Sequence, residues 1–241
     1  MKFSTAMVIV GMLIISLYLL IEVGYYSYSV TSDPNPQDTP YIIIPKIGVN
    51  QSINNQSIDH GIYFEPKSFK PTNGTTILFG HRTLHGSPFL KLDQLQPGDK
   101  IYVEWPGIGN VTYSMVNSTI VDASYMMPVE QGNTLFLITC YPLGSDKQRL
   151  IIQADYETIT PLNPATVQVQ NPQAPLGIML ISLLFAGGLI LGRFYPVADD
   201  RIWIFMATLA LTMLLVFAYF YPVPTDTLES GLSQLNSMLG F

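Results

Sequence analysis

Apolar residues follow two different patterns along this chain. Residues 3–21, 174–192 and 202–223 each run without a single charge, close to the ~20 residues a helix needs to cross a bilayer core. Between them the period shortens. Residues 41–45, 75–79, 100–104, 111–116, 134–139 and 149–154 are rich in β-branched and aromatic side chains and are bounded by Gly, Pro, Asn or Asp, the pattern of short strands. No helix-period segment of ten residues competes with them. One short helix is predicted over residues 87–92, with Ser87 as its cap and Pro88 at its first position. Several short strands joined by regular turns predict a closed or nearly closed barrel.

The fold class is therefore mostly β: an external β-barrel domain plus three transmembrane α-helices. Residues 1–25 read as an N-terminal transmembrane anchor and 26–40 as a proline-rich linker. Residues 41–159 form the barrel domain and 160–174 a second proline-rich linker, since dense proline opposes helix and sheet alike. Residues 175–222 read as a transmembrane helical hairpin. Residues 223–241 read as an external amphipathic tail, with Leu228, Leu232, Leu235, Met238 and Leu239 at helical spacing. The first apolar run is followed by Glu22-Val23-Gly24-Tyr25-Tyr26 rather than a small-x-small cleavage pattern, so it reads as a retained anchor, not a signal peptide.

Composition supports the membrane reading. Hydrophobic residues make up 48% of the chain and charged residues 12%, against roughly 25% charged in an average soluble domain. The net charge of −6 provides no basic face for nucleic acid. Lys2, Arg193 and Arg201 flank the apolar runs, and positive charge prefers the cytoplasmic side. That places the barrel and the tail outside the membrane. Asn-x-Ser/Thr sequons at Asn50, Asn55, Asn73, Asn110 and Asn117 agree with an exported surface.

Cys140 is the only cysteine, so no intrachain disulfide can form. A lone thiol outside the membrane is either inert and buried or kept for its chemistry. Thiol chemistry needs a proton carrier, because a free pKa of ~8.5 leaves little thiolate at neutral pH. It also needs a stabiliser for the negative oxygen of a tetrahedral intermediate. His81 closes the strand pattern of residues 77–80 and Arg149 opens the strand after Cys140, so each role has one candidate at a strand end. His60 reads as a turn or surface residue, His85 as part of a polar loop, and Arg82 as half of a surface or structural pair. The three histidines lack the carboxylate or thiol spacing of a zinc site. No metal and no cofactor are expected, and no acidic cluster points to calcium.

Gly80-His81-Arg82 followed by residues 89–95 and 98–101, together with Leu137-Ile138-Thr139-Cys140-Tyr141-Pro142 and Arg149-Leu150-Ile151-Ile152, resembles the sortases over about residues 43–156. The Cys-Tyr-Pro and Gln-Arg-Leu-Ile-Ile pieces are most similar to class D and E members. The C-terminal pair of spans departs from those classes. The resemblance implies Cys140 as nucleophile, His81 as acid/base, Arg149 as stabilising arginine and Thr139 as a residue that orients substrate. It implies a membrane-anchored transpeptidase that cleaves an LPxTG-like sorting motif near the C-terminus of surface proteins. The acyl group passes through a thioacyl enzyme to an amine of the cell envelope or of a pilin-like subunit. Two other readings are a cysteine peptidase with water as acceptor and a non-catalytic membrane adaptor that keeps the barrel.

Overall fold

A computed structural model describes residues 2–31, 38–129, 132–162 and 174–221. The chain divides into two compact units, one β and one helical.

The β unit is a closed eight-stranded barrel. Its strands are β1 (Tyr41–Ile44), β2 (Val49–Asn54), β3 (Ile62–Phe64), β4 (Thr76–Phe79), β5 (Lys100–Trp105), β6 (Gly109–Asp122), β7 (Thr134–Tyr141) and β8 (Gln148–Thr160). They lie in the order β1-β2-β3-β4-β7-β8-β6-β5, with β5 pairing back to β1. The pairs β2–β3 and β4–β7 are parallel and the rest antiparallel. Closure leaves no open edge. Alternate residues of each strand fill the interior, among them Ile42, Ile44, Val103, Val111, Leu135, Leu137 and Ile152. A smaller cluster packs on the outer face, where Ile77, Ile138 and Ile151 meet Phe79, Val121, Met127 and Phe136.

The six predicted strands all form, and two more were not anticipated. β2 buries only Val49 and Ile53, too sparse for an alternating pattern; its pairing with β1 makes it a strand. β3 is three residues long, below the length at which periodicity is readable. The predicted helix at 87–92 does not form. Ser87 sits at φ +46 after His85 at φ +52 and Gly86 at φ +72, which no helix cap tolerates. The stretch runs instead as successive tight turns, Leu90 N to Ser87 O and Leu92 N to Phe89 O, ending in a single 3₁₀ turn at Leu92–Gln94.

The helical unit consists of α1 (Phe3–Thr31), α2 (Ala174–Phe194) and α3 (Arg201–Phe220). All three are long and apolar enough to cross a membrane. α1 continues past the boundary read at residue 25, since residues 25–31 contain neither Gly nor Pro to stop it. The helices touch one another in every pairing. Gly188 of α2 backs onto Thr208 of α3, and Gly192 onto Phe205, close approaches that only small residues permit. The Asp200 carboxylate, in the α2–α3 turn, accepts from Lys2 N at 2.7 Å and from the Thr5 hydroxyl at 2.6 Å. The start of α1 and the hairpin turn therefore lie at the same end of the unit. The tail at 223–241, residues 163–173 of the second linker and Asp33-Pro34 of the first lie outside the described residues.

Candidate active site

Strand period and register bring three side chains to one patch. In β4 the outward positions are Ile77 and Phe79, and the next in step is His81. In β7 they are Phe136, Ile138 and Cys140; in β8 they are Arg149 and Ile151. β4 and β7 run parallel with Phe79 opposite Ile138, so the residues two places on, His81 and Cys140, leave neighbouring strands at the same level. The pairing persists beyond β4, because Gly80 N donates to Ile138 O at 3.1 Å. Cys140 and Arg149 are direct cross-strand partners. The outer apolar cluster of Ile77, Ile138 and Ile151 holds the same face two to four residues away along each strand.

The guanidinium stands next to the sulfur. Arg149 Nη1 lies 3.6 Å from Cys140 Sγ and donates to Asp146 O at 2.7 Å and Gln148 O at 3.1 Å. These two carbonyls of the β7–β8 turn aim the arginine head at the thiol. Burial pushes the Cys140 thiol up from its ordinary value; Arg149 opposes the rise, Asp146 adds to it and Arg82 opposes it again. Cys140 is half-buried. Burial therefore favours the neutral thiol over the thiolate, and Arg149 works against that preference.

His81 is held from behind. Its Nε2 and Asp59 Oδ1 are 2.8 Å apart, and the ring of His85 stacks on it with centroids 4.7 Å apart. His85 Nε2 is 3.7 Å from the same Asp59 oxygen. The imidazole of His81 thus bonds Asp59 rather than Cys140 in this structure. The Asp59 carboxyl is lowered to about 2, chiefly by the hydrogen bond from His81, against an opposing burial effect and with His85 and Ser57 helping. Burial pushes His60 down from its ordinary value.

These contacts refine one expectation and correct another. His85 does lie in the loop after β4, but it is buried there rather than exposed. The histidines also acquire a carboxylate partner: donor atoms of Asp59, His81 and His85 lie within 4.8 Å of one another, a set able in principle to ligate a cation. The two rings, however, stack 29° from parallel, which suits a hydrogen-bonded stack better than two in-plane lone pairs aimed at one ion. Asp59 lies 22 residues before His81, so spacing offered no sign of it. The only local signal was Ser57 two residues earlier, whose hydroxyl caps the turn at Asp59 N.

Thr139 precedes the thiol in β7. It is on the inner face, buried, and its hydroxyl donates to Gly80 O at 2.7 Å. Its reach is to the strand that carries His81. Arg82 pairs with Asp93 at 2.6 Å and lies over the Tyr141 ring, tying the loop after His81 to the end of β7.

Residues 42–157 match the family model of the sortase domain. No curated protein sequence matches the chain. Among solved structures, sortase A from Corynebacterium diphtheriae is 24% identical at TM-score 0.45, covering 53% of this chain and 64% of that one. Sortase C-1 from Actinomyces oris is 26% identical at TM-score 0.46, covering 56% and 82%. Sortase E1 from Streptomyces coelicolor is 23% identical at TM-score 0.45, covering 52% and 91%. The chain thus spans less than two thirds of the length of the C. diphtheriae structure.

Proposed function

From the sortase-family domain that this chain carries over residues 42–157, we propose that it is a membrane-anchored cysteine transpeptidase. Cys140 is the nucleophile, His81 the proton carrier and Arg149 the stabiliser of the developing oxyanion. Thr139 acts on the substrate indirectly, through the strand that carries His81. The observation that carries the reading is the cross-strand pair in which Arg149 Nη1 lies 3.6 Å from Cys140 Sγ, beside a β4 end that presents His81.

The chemistry follows from the resting state. Burial favours the protonated thiol, and a positioned imidazole takes its proton as the sulfur attacks a backbone carbonyl. Arg149 meets the negative oxygen with a fixed charge. The imidazolium then protonates the leaving amine, and a thioacyl enzyme remains. An amine of the cell envelope or of a pilin-like subunit resolves it. The substrate class is a surface protein with an LPxTG-like sorting motif near its C-terminus. No cofactor enters any of these steps.

α1 and the α2–α3 hairpin anchor the domain, with Lys2, Arg193 and Arg201 on the cytoplasmic side and the barrel outside. The shared end of α1 and the hairpin turn, joined at Asp200, supports that topology. Anchored substrates then reach the site at high effective concentration.

The test uses full-length protein in detergent with a peptide carrying the motif. Mass spectrometry is expected to find the acyl fragment on Cys140, released faster by added amines than by water. Water as the preferred acceptor would indicate a peptidase. An adduct that persists in Cys140→Ala, or the absence of any adduct, would overturn the assignment.

A further inference from the structure

We propose that Asp59 is the positioning residue of His81, holding the imidazole by Nε2–H so that Nδ1 is the nitrogen that exchanges the proton. The inference rests on the proton-carrier role given to His81 above. Asp59 Oδ1 lies 2.8 Å from His81 Nε2, at a histidine only 22% exposed. A carboxylate in that place accepts and never donates. It therefore selects the tautomer with hydrogen on Nε2 and leaves the Nδ1 lone pair available.

Asp59 is itself anchored. Ser57 Oγ donates to Asp59 Oδ2 at 3.0 Å, and Asp59 N donates to Ser57 Oγ at 3.2 Å. Asn54, at the end of β2, braces the turn by accepting from Gln56 N and Ser57 N and donating to Ile62 O. The turn is thus pinned between β2 and β3, and β3 pairs with β4, whose end carries His81.

One face of the imidazole is covered by His85, stacked with centroids 4.7 Å apart and rings 29° from parallel. His85, Gly86 and Ser87 occupy three successive left-handed conformations. Two of the three are not glycine, and such positions persist only where the surroundings over-determine them. Here they turn the His85 ring inward onto His81 and Asp59.

The chemical need is specific. A thiol raised by burial gives up its proton only if the resulting imidazolium is stabilised, and a carboxylate behind the ring does this while fixing its orientation, as in serine hydrolase triads.

The chain has three histidines, so nitrogen-15 labelling of histidine in the full-length protein gives three resolvable rings, with His81 assigned by His81→Gln. At a pH where all three rings are neutral, wild-type His81 is expected as the Nε2–H tautomer. Asp59→Ala, or the isosteric Asp59→Asn if the alanine variant does not fold, is expected to give a mixture. In peptide turnover the same variants are expected to lose about tenfold to a hundredfold in kcat, less than the roughly 10²–10⁴-fold that a proton carrier itself supplies, with KM within about twofold. Asp59→Glu is expected to recover part of the loss. A wild-type Nδ1–H or mixed ring, an unchanged tautomer in the variants, or wild-type kcat in them would overturn the role. A wild-type protein that turns over no peptide would count against the transpeptidase reading instead, and the tautomer spectra would still decide the place of Asp59.

Discussion

The hydroxyl of Thr139 donates to the carbonyl of Gly80 at 2.7 Å. Thr139 precedes the thiol and Gly80 precedes the imidazole, so this one buried bond ties together the strands that carry both. Removing it with Thr139→Val leaves a buried carbonyl without its donor, a change that costs about 1–3 kcal/mol. Chemical denaturation is expected to show the loss, and turnover to fall further than stability alone explains. Thr139→Ser is expected to retain both.

Gly80 is required for space. A Cβ at this position would lie 2.6 Å from Phe89 Cδ2 and 2.9 Å from Cε2, and Phe89 is fully buried. Gly80→Ala is therefore expected to destabilise the barrel by about 1–3 kcal/mol through overpacking. The same substitution in a Phe89→Leu background is expected to cost less than the sum of the two single changes, as a double-mutant cycle in denaturant will show.

Arg149 lowers a thiol that burial raises. Its removal leaves the raising effects of burial and Asp146 less opposed. The pH at which iodoacetamide alkylation of Cys140 reaches half its maximum rate is expected to move upward in Arg149→Ala. Arg149→Lys is expected to restore part of that shift but not turnover, because an ammonium lacks the planar fork of guanidinium.

Asp59, lowered to about 2 from the ordinary 3.8, links stability to acid. A carboxyl depressed in the folded state stabilises it above the unfolded value, and that contribution disappears as pH falls through 4 towards 2. The denaturation midpoint of the wild type is expected to drop more steeply across this window than that of Asp59→Asn. Parallel slopes would show that the Asp59–His81 hydrogen bond contributes nothing.

In the helical unit, Gly188 faces Thr208. Gly188→Leu is expected to force α2 away from α3 and lower the thermal stability of the detergent-solubilised protein. Gly187→Leu, at a neighbouring position where an added Cβ meets nothing, is expected to leave it unchanged.

Much of the site was legible because strands encode facing in a period of two. His81 stands in step with Ile77 and Phe79, Cys140 with Phe136 and Ile138, and Arg149 with Ile151, so alternation alone puts each on the outer face. A short loop of residues 142–147 joins β7 to β8 and makes Cys140 and Arg149 partners, and that too is local. β2 and β3 were invisible because one buries two residues in six and the other spans three. The helix expected at Ser87 failed for a different reason: a serine followed by proline reads as a cap only while its own φ is negative.

The one-dimensional pattern determined the apolar spans, the barrel and the three residues given roles in thiol chemistry, since length, alternation and turn residues are properties of neighbours in the chain. Tertiary structure decided what surrounds them. Asp59 behind His81, His85 stacked upon it, Thr139 bonded to Gly80 and Asp200 joined to the start of α1 all unite residues at least four positions apart, and most are separated by more than twenty. Such contacts depend on how the barrel closes and how the helices pack, and no local spacing records either.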